Sequence, residues 1–172
     1  LVANNGGSTS IQNTRFQNCT VTVTTEVQFN NCLFEGGSND YALVVNLDSL
    51  ALTDSLPTNY LLQDCTITGG AEAGLTGYRI HMIDCLIEEC TLFKNNYRRF
   101  HSGWHAGGMK CIPGNVRCTI RNCEAAYNIA SGGIWFDCDN ADIRILGNIS
   151  HHNDGTGIFF EINKGGGIIA DN

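Results

Sequence analysis

Charged residues and prolines are scarce in this sequence. Charged residues make up 16% of the chain, and only 2 of its 172 residues are Pro. Neither a heptad pattern nor an apolar stripe of helical spacing occurs, so coiled coils and helical bundles are not predicted. The scarcity of charge, combined with 20 Gly and frequent Asn and Thr, is typical of an all-β solenoid.

The features of nucleic-acid-binding and membrane proteins are also missing. The formal net charge is −7, and basic residues cluster only at Arg98-Arg99, so nucleic acid is not a predicted partner. No apolar run approaches the roughly 20 residues that a membrane span requires. There is no secretory signal, and the first residue is Leu1 rather than Met, so we expect a mature or excised chain.

A repeat organises the C-terminal part of the chain. Apolar runs begin at Met109, Ile134 and Ile158, at nearly equal intervals. A corner residue follows at the same distance after each of these starts: Cys123, Asn148 and Asn172. A period in the twenties indicates stacked units that bury a face only against their neighbours. The predicted fold is therefore all-β, a parallel β-helix with turns of about 20–25 residues.

Asn and Cys recur at corner positions of this repeat. The spacing from Cys85 to Cys90 is the same as the spacing from Cys123 to Asn128, which places Cys85 on the same corner as Cys123. We predict an Asn/Cys corner ladder that is hydrogen-bonded along the stack, with mostly free, buried thiols. Five cysteines follow Asn or Asp in the pattern that marks this corner: Cys19, Cys32, Cys65, Cys85 and Cys123.

One insertion interrupts the repeat. The separation of Cys85 from Cys123 exceeds the length of one turn, and the surplus is predicted to form an inserted loop at 91–106. Repeat proteins build binding faces from such loops. Its aromatic, basic and imidazole side chains are therefore candidate substrate-binding residues: Tyr97, Arg98, Arg99, His101, Trp104 and His105. His101 and His105 are spaced like a helical metal pair, but Gly103 argues against a helix, so no metal site is predicted.

Strand alternation predicts which side chains of the C-terminal runs point away from the core. With the apolar residues at alternate positions facing inward, Trp135 and Asp137 face solvent. Phe159 and Glu161 stack on them one turn later, about 4.8 Å along the axis. Lys110 lies diagonal to Asp137 on the preceding turn. The predicted outward columns therefore bring two aromatic rings, two carboxylates and an ammonium group together.

The repeat also resembles a known family. Gly132-Gly133-Ile134-Trp135-Phe136-Asp137, followed by Gly157-Ile158-Phe159-Phe160-Glu161-Ile162, resembles the stacked turns of right-handed parallel β-helix repeat proteins of the pectate-lyase-like superfamily. The resemblance implies a right-handed helix, an extracellular or cell-surface setting, and a bias toward acidic polysaccharides. It implies no single reaction, since this fold is shared by lyases, hydrolases and non-catalytic surface proteins.

The outward columns suit a sugar-binding strip. Trp135 and Phe159 would offer flat apolar platforms for pyranose rings. Asp137 and Glu161 would serve as polar anchors or as an acid–base pair, because two close carboxylates push their pKa values apart. Alternatively, the two carboxylates would share a Ca²⁺ ion that bridges to a uronate. Simple solvated strand faces covered by the inserted loop are the structural alternative.

A lyase mechanism would use further residues. Lys110 would abstract the proton, provided that its neighbours lower its pKa. Arg98 or Arg99 would bind the substrate carboxylate in a bidentate manner. Under a hydrolase mechanism, by contrast, Asp137 and Glu161 would carry the acid–base chemistry.

Three hypotheses about function follow. The first is a polysaccharide-active enzyme or enzyme fragment, with a lyase preferred to a hydrolase. The second is a non-catalytic carbohydrate-binding or adhesive surface protein, and the third is a structural solenoid that stacks end to end into filaments. We expect residues 1–172 to form one β-helix domain. Since no capping helix follows the ladder position Asn172, we expect a fragment of a longer chain or an uncapped unit of an assembly.

Overall fold

The described chain consists of strands and their connections. The computed structural model describes residues 9–23, 27–37, 39–45, 62–76, 86–88, 90–101, 103, 106–112 and 114–172. Every secondary-structure element in these ranges is a β-strand or an isolated bridge. In this part of the chain, no helix has the length and hydrophobicity needed to cross a bilayer.

The strands form three parallel sheets that the chain visits in rotation. Sheet A contains β1 (Thr9–Gln12), β4 (Val27–Asn30), β7 (Leu62–Gln63), β10 (Leu86–Glu88), β13 (Thr119–Arg121), β16 (Ile143–Leu146) and β19 (Gly167–Ala170). Sheet B contains β2 (Arg15–Gln17), β5 (Leu33–Glu35), β8 (Thr66–Thr68), β11 (Thr91–Phe93), β14 (Glu124–Ala126) and β17 (Ile149–His151). Sheet C contains β3 (Val21–Val23), β6 (Tyr41–Val45), β9 (Ala73–Thr76), β12 (Gly107–Cys111), β15 (Gly132–Asp137) and β18 (Ile158–Glu161). This is the predicted parallel β-helix.

The register of the C-terminal turns confirms the predicted repeat. Met109 pairs with Ile134, which pairs with Ile158, and the same interval separates Ile120 from its partner Ile145 in sheet A. Other turns differ in length from these regular ones. The first turn is shorter, because Thr9 pairs with Val27. Two turns are longer, because Phe29 pairs with Leu62 and Ile87 pairs with Ile120.

Stacked aliphatic columns form the core. In sheet A, Leu62, Ile87 and Ile120 lie in register and are fully buried. Near the N-terminal turns the columns are aromatic, since the rings of Phe16 and Phe34 stack with their centroids 5.1 Å apart. Burying a side chain of this size contributes about 1.5–3 kcal/mol to the stability of the fold. The two or three strands of a single turn cannot bury these side chains without neighbouring turns.

Ladders of polar side chains occupy the three corners between sheets. At the A–B corner, Asn148 Nδ2 donates to Asn172 Oδ1 at 2.8 Å. At the B–C corner, Asn128 Nδ2 donates to Asn153 Oδ1 at 2.8 Å. A third ladder lies at the C–A corner and consists of Asn115, Asn140 and Asn163. This ladder was not predicted, although the regular spacing of its members in the sequence would have revealed it. The amides satisfy corner backbone groups that would otherwise be buried without partners.

The thiol part of the ladder needs one correction. Cys90, rather than Cys85, occupies the position below Cys123, because the backbone N of Cys90 donates to Cys123 Sγ at 3.4 Å. Cys85 itself lies outside the described residues. The eight described cysteines are thiols that form no disulfide, as predicted. Six of them are buried: Cys32, Cys65, Cys90, Cys111, Cys118 and Cys123.

The same shift of register shortens the inserted loop predicted at 91–106. Thr91–Phe93 forms β11 in sheet B, and Asn95 belongs to the B–C ladder, since its Nδ2 donates to Asn128 Oδ1 at 3.1 Å. The surplus of this long turn therefore lies between Asn96 and Ala106. Of the residues in that segment, 102, 104 and 105 lie outside the described chain.

Candidate functional site

An ammonium group and two aromatic rings stack on the outer side of sheet C. Lys110 pairs with Trp135 and Trp135 with Phe159 on consecutive turns. Lys110 Nζ lies 3.0 Å from the centroid of the Trp135 ring, and the Trp135 and Phe159 centroids are 5.1 Å apart. A desolvated cation over an indole contributes about 2 kcal/mol. Both faces of Trp135 are therefore occupied by protein groups.

Asp137 neutralises this ammonium group. Its Oδ2 lies 3.2 Å from Lys110 Nζ, which confirms the predicted diagonal contact. Cys138 Sγ donates to the other carboxylate oxygen of Asp137 at 3.0 Å. Glu161 pairs with Asp137 one turn later, so the second predicted carboxylate is also in place. The structure thus brings all five predicted outward residues together.

The expected solvent exposure of these side chains is wrong for three of them. Lys110 is 1% exposed, Trp135 5% and Asp137 9%, whereas Phe159 and Glu161 are half-buried. Alternation correctly gives the direction of each side chain away from the core. It cannot reveal that these three side chains are buried.

Burial changes the acid–base properties of the column. Burial lowers the pKa of Lys110, and the opposing hydrogen bond and charge of Asp137 do not fully compensate. The hydrogen bond to Asp137 raises the pKa of Cys138 to about 11, with further contributions from desolvation and the Asp137 charge. Cys138 is consequently a thiol, not a thiolate, around neutral pH.

A groove of about 270 Å³ runs beside this column. Trp135 is one of the residues that line it. The Nε1 atom of Trp135 is buried and has no hydrogen-bond partner in the described structure, although buried donors are almost always paired in folded proteins. Because this N–H is shielded from solvent, it does not face the groove as a free donor. The described residues that line the groove are His101, Gly103, Gly132, Trp135, Gly155, Thr156, Phe159 and Glu161.

The candidates from the inserted loop separate into different environments. His101 lines the groove. Tyr97 is 41% exposed. Arg98 lies 3.7 Å from Asp40 across an exposed ion pair, and Arg99 is exposed with a φ of 58°. Neither arginine is among the described residues that line the groove. Trp104 and His105 fall outside the described chain.

Sequence reasoning missed several groups at this site. Cys138 contacts the carboxylate of Asp137, the residue directly before it. The adjacency of the two residues in the sequence could have predicted this contact. Gly132, Gly155 and Thr156 also line the groove, and none of them was a candidate. Their contribution depends on the path of the inserted segment, which periodicity does not specify.

The carboxylates do not form a complete metal site. In the described ranges no three His, Cys, Asp or Glu side chains converge on a common point. Asp137 already binds Lys110 and Cys138, so a Ca²⁺ ion shared with Glu161 would have to displace the ammonium group. The donor set therefore does not fit Ca²⁺, which takes about 6–8 oxygen ligands.

Comparisons with protein-family models, curated proteins and solved structures gave no match for this chain. The fold and the site together define a class, a three-sheet parallel β-helix with a covered cationic–aromatic column beside a groove. Membership of the pectate-lyase-like superfamily stays a prediction.

Proposed function

We propose that the protein binds a polysaccharide in the groove beside sheet C. The combination of an aromatic ring, a carboxylate and an imidazole along this groove, from Phe159, Glu161 and His101, is the observation that carries the proposal. Sugar sites are lined by apolar and aromatic surface with a few placed polar groups. Phe159 supplies the apolar surface, and Glu161 and His101 supply hydrogen-bonding groups for the sugar hydroxyls.

The mode of binding differs from a ring stacked on a tryptophan face. Lys110 lies against one face of Trp135 and Phe159 lies on the following turn against the other. Neither face of the indole is therefore open to the groove. The sugar ring packs against Phe159 instead.

The groove favours a neutral polymer over the acidic one that the resemblance suggests. Glu161 contributes a carboxylate, which would repel a uronate. Among the described groove residues no Arg or Lys offsets this charge, because Arg98 pairs with Asp40. An extracellular or cell-surface location, where such polymers occur, is part of this proposal.

Glycoside hydrolysis is the second candidate function. Asp137 and Glu161 pair on adjacent turns but occupy different environments, since Asp137 is bound by Lys110 whereas Glu161 faces the groove. When two carboxylates lie in different environments, one can act as the general acid and the other as the general base. A lyase mechanism is less well supported, because its proposed base, Lys110, is 1% exposed.

Binding is tested with a panel of neutral and uronate polysaccharides in affinity electrophoresis and calorimetry. Phe159→Leu keeps an apolar side chain and removes the aromatic ring that lines the groove, and we expect about tenfold weaker binding. Glu35→Gln alters a carboxylate of sheet B that pairs with Arg15, and it should bind as the unaltered protein does. Equal affinity of the Phe159→Leu variant would refute the proposed binding mode.

Catalysis is tested on whichever polymer binds, by assaying new reducing ends and unsaturated ends separately. A hydrolase releases reducing ends only, and Glu161→Gln should abolish their release while the polymer stays bound. Binding without any release of ends would identify a non-catalytic carbohydrate-binding protein. Unsaturated ends would favour the lyase hypothesis instead.

End-to-end association into filaments is a separate prediction, which sedimentation velocity at increasing concentration checks.

A further inference from the structure

A second cluster of titratable side chains lies at the edge of sheet B, among residues that do not line the groove. His151 ends strand β17, and His152 follows it with a φ of 52°. Consecutive residues of an extended strand point to opposite faces. The left-handed turn at His152 instead brings both imidazoles to one side, with ring centroids 4.9 Å apart and planes at 86°.

Glu124 determines which ring nitrogen of His151 is free. Its Oε1 lies 2.9 Å from His151 Nε2, and a carboxylate can only accept, so Nε2 carries the proton when the ring is neutral. The Nδ1 atom of His151 then has a free lone pair. It lies 2.7 Å from His152 Nδ1, which must donate to it. Two ring nitrogens therefore meet at one point near solvent, since the His151 side chain is 33% exposed.

The backbone at this corner is costly for the residues it holds. Asn18 and Gly69 adopt the left-handed conformation in the early turns, and Lys94, Tyr127 and His152 adopt it later. For residues other than Gly and Asn this conformation costs roughly 1–2 kcal/mol. It recurs at corners along the helix, and at this corner it determines where the imidazole of His152 lies. The ring of Tyr127 stacks on that of His152, with centroids 4.9 Å apart and planes at 15°, which fixes the imidazole in place.

We propose that His151 and His152 bind a divalent transition-metal ion of the Zn²⁺, Ni²⁺ and Cu²⁺ group through their Nδ1 atoms. Imidazole nitrogen suits these ions. A metal that holds two nitrogens at about 2.0–2.1 Å keeps them roughly 3 Å apart, a few tenths of an ångström more than in the present structure. On binding, the proton leaves Nδ1 of His152 and Nε2 takes one up from water, so both rings stay neutral. Water fills the remaining coordination positions.

Glu124 is a positioning residue in this proposal. It lies on the far side of His151 and holds the tautomer that presents Nδ1, as carboxylates behind metal-bound imidazoles commonly do. It is not itself a ligand, which agrees with the finding that no three such side chains converge on one point in the described chain. Loss of such a partner lowers metal affinity by about 10–100-fold.

Zinc titration of the full chain tests the proposal by calorimetry and by NMR of the imidazole nitrogens. We expect one Zn²⁺ per chain, and at least tenfold weaker binding in His151→Asn and in His152→Asn. Glu124→Gln should weaken zinc binding by about 10–100-fold, because it removes the positioning carboxylate. His101→Gln, which alters an imidazole of the inserted segment, should leave zinc affinity unchanged. The NMR spectrum should show zinc on Nδ1 of both rings and a new Nε2 proton on His152.

Three outcomes would overturn the assignment. These are no zinc binding by the unaltered chain, undiminished affinity in both Asn variants, and coordination through Nε2 of His151. Thermal unfolding of each variant without metal separates misfolding from loss of a ligand. Zinc should raise the midpoint for the unaltered chain, since it binds only the folded state, and should raise it less for each Asn variant.

Discussion

At the scale of single residues, Lys110 and Asp137 illustrate how a strand face becomes a covered ion pair. The ammonium group is 1% exposed and lies within 3.2 Å of the carboxylate. Removing one partner of a buried pair leaves an uncompensated charge, whereas removing both does not. The balance between burial and pairing is what makes this site sensitive to single substitutions.

Asp137→Ala should therefore destabilise the protein by about 3–5 kcal/mol. The double variant Lys110→Met/Asp137→Ala should be more stable than Asp137→Ala alone, because no buried charge then lacks a partner. Urea unfolding at neutral pH measures both free energies. A double variant less stable than the single one would show that the pair contributes net stability beyond mutual compensation.

Cys138 offers a second prediction at this scale. With its pKa raised to about 11, roughly one molecule in a hundred carries a thiolate at pH 9, and the thiolate is the reactive form. Asp137→Asn removes the negative charge that raises this pKa, so alkylation of Cys138 by iodoacetamide should become faster. Peptide mapping by mass spectrometry gives the rate at each thiol, and Cys19, far along the chain, serves as the internal reference. An unchanged Cys138 rate would contradict the assigned cause.

The same shift links Cys138 to stability. The folded protein holds this proton more tightly than an ordinary thiol of pKa 9.0 does, so the folded state binds more protons between these values. The free energy of unfolding should consequently fall as the pH rises from about 9 to about 11. The fall should be smaller in Cys138→Ser.

At the scale of strands and corners, glycine and the Asn ladders depend on each other. A Cβ atom on Gly108 would lie 2.7 Å from Asn128 Nδ2 and 2.8 Å from the backbone O of Gly133. The ladder amide and the neighbouring strand leave no room for it. Gly74, whose added Cβ would lie 2.6 Å from the ladder amide of Asn95, is confined in the same way. The B–C ladder therefore requires glycine at these two positions.

Gly108→Ala should destabilise the protein by about 1–3 kcal/mol, the usual cost of overpacking. Gly166→Ala is the matched control, because a Cβ there would meet nothing within 4 Å. Thermal unfolding followed by circular dichroism compares the two variants. Equal midpoints would mean that the strand shifts to accommodate the methyl group without penalty.

The sequence predicts elements of this kind unevenly. The regular interval between apolar runs correctly aligns Met109 with its partners, because identical turns must repeat their spacing. The same reasoning fails at the thiol ladder, since Cys85 and Cys90 reproduce the spacing of Cys123 and Asn128 as well as the true pair, Cys90 and Asn95, does. Burial of Trp135 was not predictable either, because alternation gives the direction of a side chain and not what covers it.

At the scale of the whole molecule, the β-helix tolerates insertions because each turn contacts only its neighbours. The segment from Asn95 to Gly107 is longer than the segment from Asn128 to Gly132, which connects their partners one turn later. The difference equals the length of residues 98–105. The turn can therefore close without a segment of that length. Two residues of this segment, His101 and Gly103, line the groove.

Deleting residues 98–105 should consequently preserve the fold and open the groove. The shortened turn matches the next one in length, and the closure entropy of a shorter loop changes by under about 1 kcal/mol. The deletion also removes Trp104, one of 2 Trp in the chain, so fluorescence then reports on Trp135 alone. We expect emission at longer wavelength and faster acrylamide quenching than in full-length Trp104→Phe, which contains the same single tryptophan. We also expect weaker polysaccharide binding, because His101 is lost. A deletion variant that keeps the strand signal in circular dichroism but matches the control in emission would show that other parts of the chain cover Trp135.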